Sequence, residues 1–116
     1  MLNKTIKIND ICISNDLPIV LIAGPCQLEN LDHSRTIAAT LCELSQKLGM
    51  KFIFKGSFDK ANRTSLKSQR GVGLEDGLAI LDKIKSEFKC PVLTDVHEPG
   101  QCLQTSEVAD VIQIPA

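Results

Sequence analysis

Apolar and polar positions along the chain fall into short solid runs separated by longer periodic stretches. β-Forming residues cluster at 5–8 and 11–13 around Asn9-Asp10, a hairpin pattern. Residues 19–23 form an apolar run closed by Gly24-Pro25, which predicts a first buried strand. A helix is predicted over 31–48, with Ile37, Leu41, Leu44 and Leu48 along one face. Asn30 or Asp32 can cap its start, and Gly49 suits its stop. A second strand at 51–55 opens into a loop that runs to about Gly73. The next helix, 74–88, carries Leu78, Leu81, Ile84 and Phe88 on one stripe. Pro91 precedes a third strand at 92–95, then a shorter helix around 101–108 and a fourth strand at 111–114. Val20, Ile22, Ile53, Val92 and Ile112 are expected to point inward.

A hairpin followed by β-α-β-α-β-α-β implies an α/β fold with a parallel sheet and right-handed crossovers. The pattern fits a doubly wound sheet and half of a (β/α)8 barrel equally well. No repeat, low-complexity segment or linker interrupts it. Residues 1–116 therefore read as one unit, with 1–14 a hairpin and 19–116 the βαβαβαβ part.

Bulk properties narrow the function. A chain of 116 residues supports one small domain, and 43% hydrophobic content is enough for a core. No apolar run approaches the roughly 20 residues that cross a bilayer, and the polar residues after Lys7 spoil a signal peptide, so a cytoplasmic protein is expected. A net charge of −1, with four Phe and no Trp or Tyr, argues against a general nucleic-acid binder. Five cysteines, an odd number without a CxxC pair, argue against a disulfide framework or zinc ribbon. Cys12, Cys42, Cys90 and Cys102 read as small buried hydrophobes.

The chemistry concentrates in residues 54–65, FKGSFDKANRTS, which begin at the end of the second strand. Polar groups at the C-terminal end of a parallel strand are where α/β folds hold ligands. Arg63 offers a planar fork, Lys55 and Lys60 offer point charges, and Ser57, Thr64 and Ser65 offer neutral donors, a set suited to an anion. Cys26 follows Gly24-Pro25 at the tip of the first strand, at the same end as that loop, and its thiolate is a good ligand for zinc or ferrous iron. Gly71 and Gly73 lack the preceding strand and third glycine of a phosphate cradle and read as a turn into the next helix. Asp59 either ties down the loop or orients Lys60, and His33 reads as a surface residue.

The 54–65 loop resembles the signature loop of the 3-deoxy-D-manno-octulosonate 8-phosphate synthase family, also called 2-dehydro-3-deoxyphosphooctonate aldolase. IAGPCQLE at 22–29, RGVGLEDG at 70–77, LTDVHEP at 93–99 and DVIQIPA at 110–116 resemble further family segments in the same order. From Asn15 onward almost the whole chain is covered. Thr64 stands where the family often has Ser, and Lys67 where many members have His.

The resemblance implies a TIM-type (β/α)8 barrel closed by an N-terminal hairpin, of which this chain would hold the hairpin and the first four strands, incomplete at Ala116. A whole barrel takes about 200 residues or more. The chain is accordingly expected to be a fragment, inactive alone, or to associate with something that completes it. The implied reaction condenses phosphoenolpyruvate with arabinose 5-phosphate for lipopolysaccharide core synthesis, in a homo-oligomer that is tetrameric by family. Lys55 and Lys60 would hold the phosphoenolpyruvate carboxylate and orient the reacting centre. Asn62, Arg63 and Thr64 would hold the pentose phosphate, with Ser57, Asp95 and Gln113 in the same pocket. Cys26 marks the class that binds a divalent metal (zinc, iron or manganese), whose other ligands, a His, a Glu and an Asp, come from later strands. His97 would line the pocket without ligating that metal. Two rivals remain: a 3-deoxy-D-arabino-heptulosonate 7-phosphate synthase, against which Asn62 discriminates, and an inactive truncated product.

Overall fold

The computed structural model describes residues 3–59 and 72–116. Its elements run β1 (Ile6–Ile8), β2 (Ile11–Ile13), β3 (Val20–Ala23), α1 (Leu31–Leu48), β4 (Lys51–Lys55), α2 (Leu74–Phe88), β5 (Val92–Asp95), α3 (Cys102–Ser106) and β6 (Val111–Gln113). A single 3-10 turn at Pro99–Gln101 precedes α3. β1 and β2 pair antiparallel with Ile8 opposite Ile11, and Asn9 takes the turn at φ 53, a left-handed conformation that Asn tolerates. β3, β4, β5 and β6 form one parallel sheet in that order. The expected α/β order is present.

Side-chain alternation along the strands divides the core in two. Phe52, Phe54 and Val92 pack on the helix side with Leu28, Ala38, Leu78, Leu81 and Ile84. Ile53 and Leu93 face the other way and meet Ile11 of the hairpin, flanked by Ile8, Ile13, Val20 and Val111. The hairpin therefore lies over the non-helical face of the sheet. Val92 is on the helix side and Leu93 takes the inward place expected of it, and likewise Val111, in register with Leu93, takes the place expected of Ile112. A strand buried on both faces reads as a continuous apolar run and carries no alternation to fix its phase.

The inner face of α1 also differs from expectation. Ser34, Ala38 and Ser45 are its buried residues, with Ile37 and Leu41 at the margin, while Leu44 and Leu48 are 47% and 69% exposed. Ser45 is one residue, about 100°, round the helix from Leu44. Small residues in the buried stripe let the helix approach closely, and the leucines fall outside it. Arg35 reaches from α1 to Glu87 of α2, with Nε to Oε1 at 2.8 Å and to Oε2 at 3.1 Å.

Asn30, not Asp32, caps α1 by accepting from the His33 amide at 2.8 Å, and Gly49 ends it at φ 66. Pro99 turns the start of the last helix into a 3-10 turn, so α3 is shorter than predicted. Cys90 is buried and Cys42 and Cys102 are half-buried, as small hydrophobes should be, but Cys12 is exposed. Its neighbour Ile11 takes the inward position, and alternation turns Cys12 out. No helix among the described residues is long and apolar enough to cross a membrane.

Candidate functional site

The C-terminal ends of β3, β4 and β5 open onto one cavity of about 640 Å³. Its wall includes Gly24, Pro25 and Cys26 after β3, Lys55, Ser57 and Asp59 at the end of β4, and Asp95 and His97 at the end of β5. Pro115 and Ala116, beyond β6, complete it. Four expected site residues, Cys26, Lys55, Ser57 and Asp95, thus meet at one end of the sheet, together with His97, which was expected to line the pocket. Gln113 is outside that lining. It lies in register with Asp95, and its carbonyl accepts from the Val96 amide at 3.1 Å. Lys60, Asn62, Arg63 and Thr64 lie outside the described residues.

Close backbone packing sets these positions. A Cβ on Gly24 would stand 1.7 Å from the Lys55 carbonyl oxygen, so only glycine lets the chain after β3 pass so near β4. Leu28, fully buried, donates its amide to the Ser57 carbonyl at 2.8 Å and clamps the loop after β3 onto the loop after β4. Phe58 is 1% exposed and packs on Gly77 of α2, where a Cβ would lie 2.4 Å from the Phe58 Cβ. The loop therefore leaves β4 with an anchored aromatic residue between Ser57 and Asp59.

The Ser57 hydroxyl donates to the Asp59 carbonyl at 2.6 Å and accepts from the Asp59 amide at 3.2 Å. Its one proton is thereby committed within the loop, and its observed work is to shape the turn. Asp95 and His97 line the same cavity from the end of β5. His97 Nε2 is 3.1 Å from Asp95 Oδ2, but not aligned as a hydrogen bond. Neither His97 Nε2 nor Asp95 Oδ1 has a hydrogen-bond partner among the described residues. The imidazole stands edge-on to Phe58, with centroids 6.1 Å apart at 82°. Backbone amides of His97 and Glu98 both donate to Gln101 Oε1, at 2.8 and 3.2 Å. Sequence reasoning missed Gln101. The signal was present, because Glu98 and Gln101 are three residues apart around Pro99 and form a capping box.

The cavity offers an ammonium at Lys55, a thiol at Cys26, a carboxylate at Asp95 and an imidazole at His97. Such a set suits a small, anionic, hydroxylated ligand. Cys26 is exposed, as a metal-binding thiol can be. Among the described residues, however, no group of three or more His, Cys, Asp or Glu is arranged to hold a metal ion. The cavity wall supplies one soft donor, Cys26, and the described residues do not by themselves make a metal site.

Residues 3–116 match the model of the DAHP synthetase I family. The chain belongs to the DAHP synthetase I family. Within the family it is similar to proteins named 2-dehydro-3-deoxyphosphooctonate aldolase. That of Rickettsia peacockii is 58% identical over 115 residues, which cover 99% of this chain and 42% of the relative. Those of Rickettsia felis and Rickettsia prowazekii are 57% and 56% identical over the same shares. The chain thus spans less than half the length of these curated relatives.

Proposed function

We propose that this chain supplies part of the active site of a 3-deoxy-D-manno-octulosonate 8-phosphate synthase. The observation that carries this reading is the meeting of Cys26, Lys55 and Asp95 on one cavity at the C-terminal ends of parallel strands. The name borne by the relatives supports the pentose substrate over the tetrose of the sister reaction.

In the proposed reaction C3 of phosphoenolpyruvate attacks the aldehyde carbon of D-arabinose 5-phosphate and forms the new C–C bond. Water adds at C2, the aldehyde oxygen takes a proton, and inorganic phosphate leaves by cleavage of its bond to C2. Lys55 sets an ammonium against the phosphoenolpyruvate carboxylate and stabilises charge as C2 becomes tetrahedral. Lys60 shares that task. Asp95 accepts from a substrate hydroxyl, and Gln113 supports its strand from β6. Asn62 binds sugar hydroxyls, and Arg63 and Thr64 the pentose phosphate, where a guanidinium fork matches the anion. Ser57 keeps the loop in shape. Cys26 is suited to be one ligand of a divalent metal (zinc, iron or manganese) whose other ligands would come from outside this cavity.

The same reading extends to the fold. Among the described residues β3 and β6 each have one neighbour in the sheet, and Ile19, Ile22 and Ile114 beside those edges are 76%, 47% and 73% exposed. We take these six strands as the hairpin and first four barrel strands of a (β/α)8 enzyme, whose remaining strands would cover that surface. The protein would work in the cytoplasm as a homo-oligomer and feed lipopolysaccharide synthesis.

The test is phosphate release by the protein made from its complete natural reading frame. Release should require both phosphoenolpyruvate and arabinose 5-phosphate. Equal or faster release with erythrose 4-phosphate would assign the sister reaction instead.

A further inference from the structure

We propose that Gln101 is a positioning residue: its side-chain carbonyl fixes the backbone of His97, so that the imidazole and the Asp95 carboxylate face the substrate cavity together. The assignment of the cavity to phosphoenolpyruvate condensation rests on the reading above, whereas the positioning itself rests on the following geometry.

Sheet pairing stops just before His97. The Val96 amide still donates to the Gln113 carbonyl at 3.1 Å, but the next two amides have left the ladder. Gln101 Oε1 takes both, from His97 at 2.8 Å and from Glu98 at 3.2 Å. Pro99 begins the 3-10 turn that brings Gln101 back over the strand end, and the Glu98 side chain accepts from the Gln101 amide in return. A loop residue that would otherwise be free in φ and ψ is thereby held by a single side-chain oxygen.

The held residue is an unusual one to fix. His97 packs edge-on against the buried Phe58 and stands beside Asp95 without an aligned hydrogen bond to it. Both side chains keep a polar atom buried and unpartnered among the described residues. If the backbone at His97 relaxed, the ring would be free to turn and satisfy its nitrogen elsewhere. Gln101 opposes that relaxation, and it lies outside the cavity wall, so it acts through His97 and not on a ligand.

Two variants of the protein from its complete reading frame test this. Gln101→Met keeps the length of the side chain and removes the acceptor, while Gln101→Glu keeps an acceptor oxygen in the same place. Gln101→Met should lower kcat by roughly tenfold or more with KM for both substrates within about threefold, and Gln101→Glu should restore most of it. The imidazole nitrogen signals of His97, assigned by their loss in His97→Asn, should move in Gln101→Met and return in Gln101→Glu. Unchanged kcat and unmoved His97 signals in Gln101→Met would overturn the proposal, as would Gln101→Glu behaving like Gln101→Met. If Gln101→Met does not fold, Gln101→Asn, which withdraws the acceptor by one methylene, takes its place: a lowered kcat with moved His97 signals supports the role, and both unchanged overturn it. If the wild type does not condense the two substrates, the reaction assignment has failed and the His97 signals still decide the role of Gln101.

Discussion

Lys85 Nζ donates to Asp110 Oδ1 at 3.1 Å, tying the last turns of α2 to the turn ahead of β6. Asp110 also accepts from the Val92 amide at 2.9 Å and from Asn9 Nδ2 at 3.2 Å, so one carboxylate joins helix, sheet and hairpin. Its own amide donates to the Val92 carbonyl at 2.9 Å. Asp110→Ala would strand the Val92 amide and leave Lys85, among the described residues, with the Val108 carbonyl. The expected loss is about 2–3 kcal/mol of unfolding free energy, because the carboxylate is mostly buried and its partners are charged or backbone donors. Chemical denaturation of the variant beside wild type checks this, and Asp110→Asn should recover part of the loss.

Gly24 makes a sharper prediction for the site. Gly24→Ala places a Cβ 1.7 Å from the Lys55 carbonyl oxygen, and backbone on one side must move. Lys55 and Cys26 flank that contact, so kcat/KM should fall by about a hundredfold, the scale of a 1 Å misplacement. Steady-state kinetics with a circular-dichroism check on folding would measure it. Activity within about threefold of wild type would mean that this crossing does not set the site.

Stability should fall at alkaline pH through Cys90. Burial, reinforced by the neighbouring Cys42 thiol, pushes the Cys90 pKa from 9.0 up to about 11. The folded state therefore holds this proton more tightly than the unfolded chain. The contribution is complete below pH 9 and is lost as pH rises toward about 11. Thermal unfolding at successive pH values should show Tm dropping across that window, with a shallower drop for Cys90→Val. Identical slopes would remove Cys90 as the cause.

Cys26→Ser should lower the divalent metal bound by the complete protein, since a hydroxyl is a much poorer ligand than a thiolate at neutral pH. Elemental analysis of the purified protein reads this directly. Equal metal content in the two proteins would take Cys26 out of the ligand set.

Much of the fold was legible because each element carried its own punctuation. Gly49, Gly24-Pro25 and Pro91 closed elements where turn chemistry requires, and α1, α2, β4 and β5 have the bounds their patterns predict. Phase was harder to read. Small residues gave no hydrophobic signal for the buried face of α1, and Ser34 and Ser45 displaced Leu44 and Leu48 from it. An unbroken apolar run likewise hid which of Val92 and Leu93 faces inward. For the site, strand-end position was enough to bring Cys26, Lys55, Ser57 and Asp95 together. The function of Gln101 was not legible in the same way, because a side chain folding back on its own loop depends on a local turn and not on periodicity.

Isotope-labelled phosphoenolpyruvate, with ¹⁸O in the bond between C2 and the phosphoryl group, gives the most direct test of the proposed condensation. The complete protein would be incubated with it and arabinose 5-phosphate, and both products weighed by mass spectrometry. The expected result is an eight-carbon phosphorylated acid without the label and inorganic phosphate that carries it. No eight-carbon product, or a label retained in that product, would contradict the assignment of this cavity to C–O-cleaving condensation.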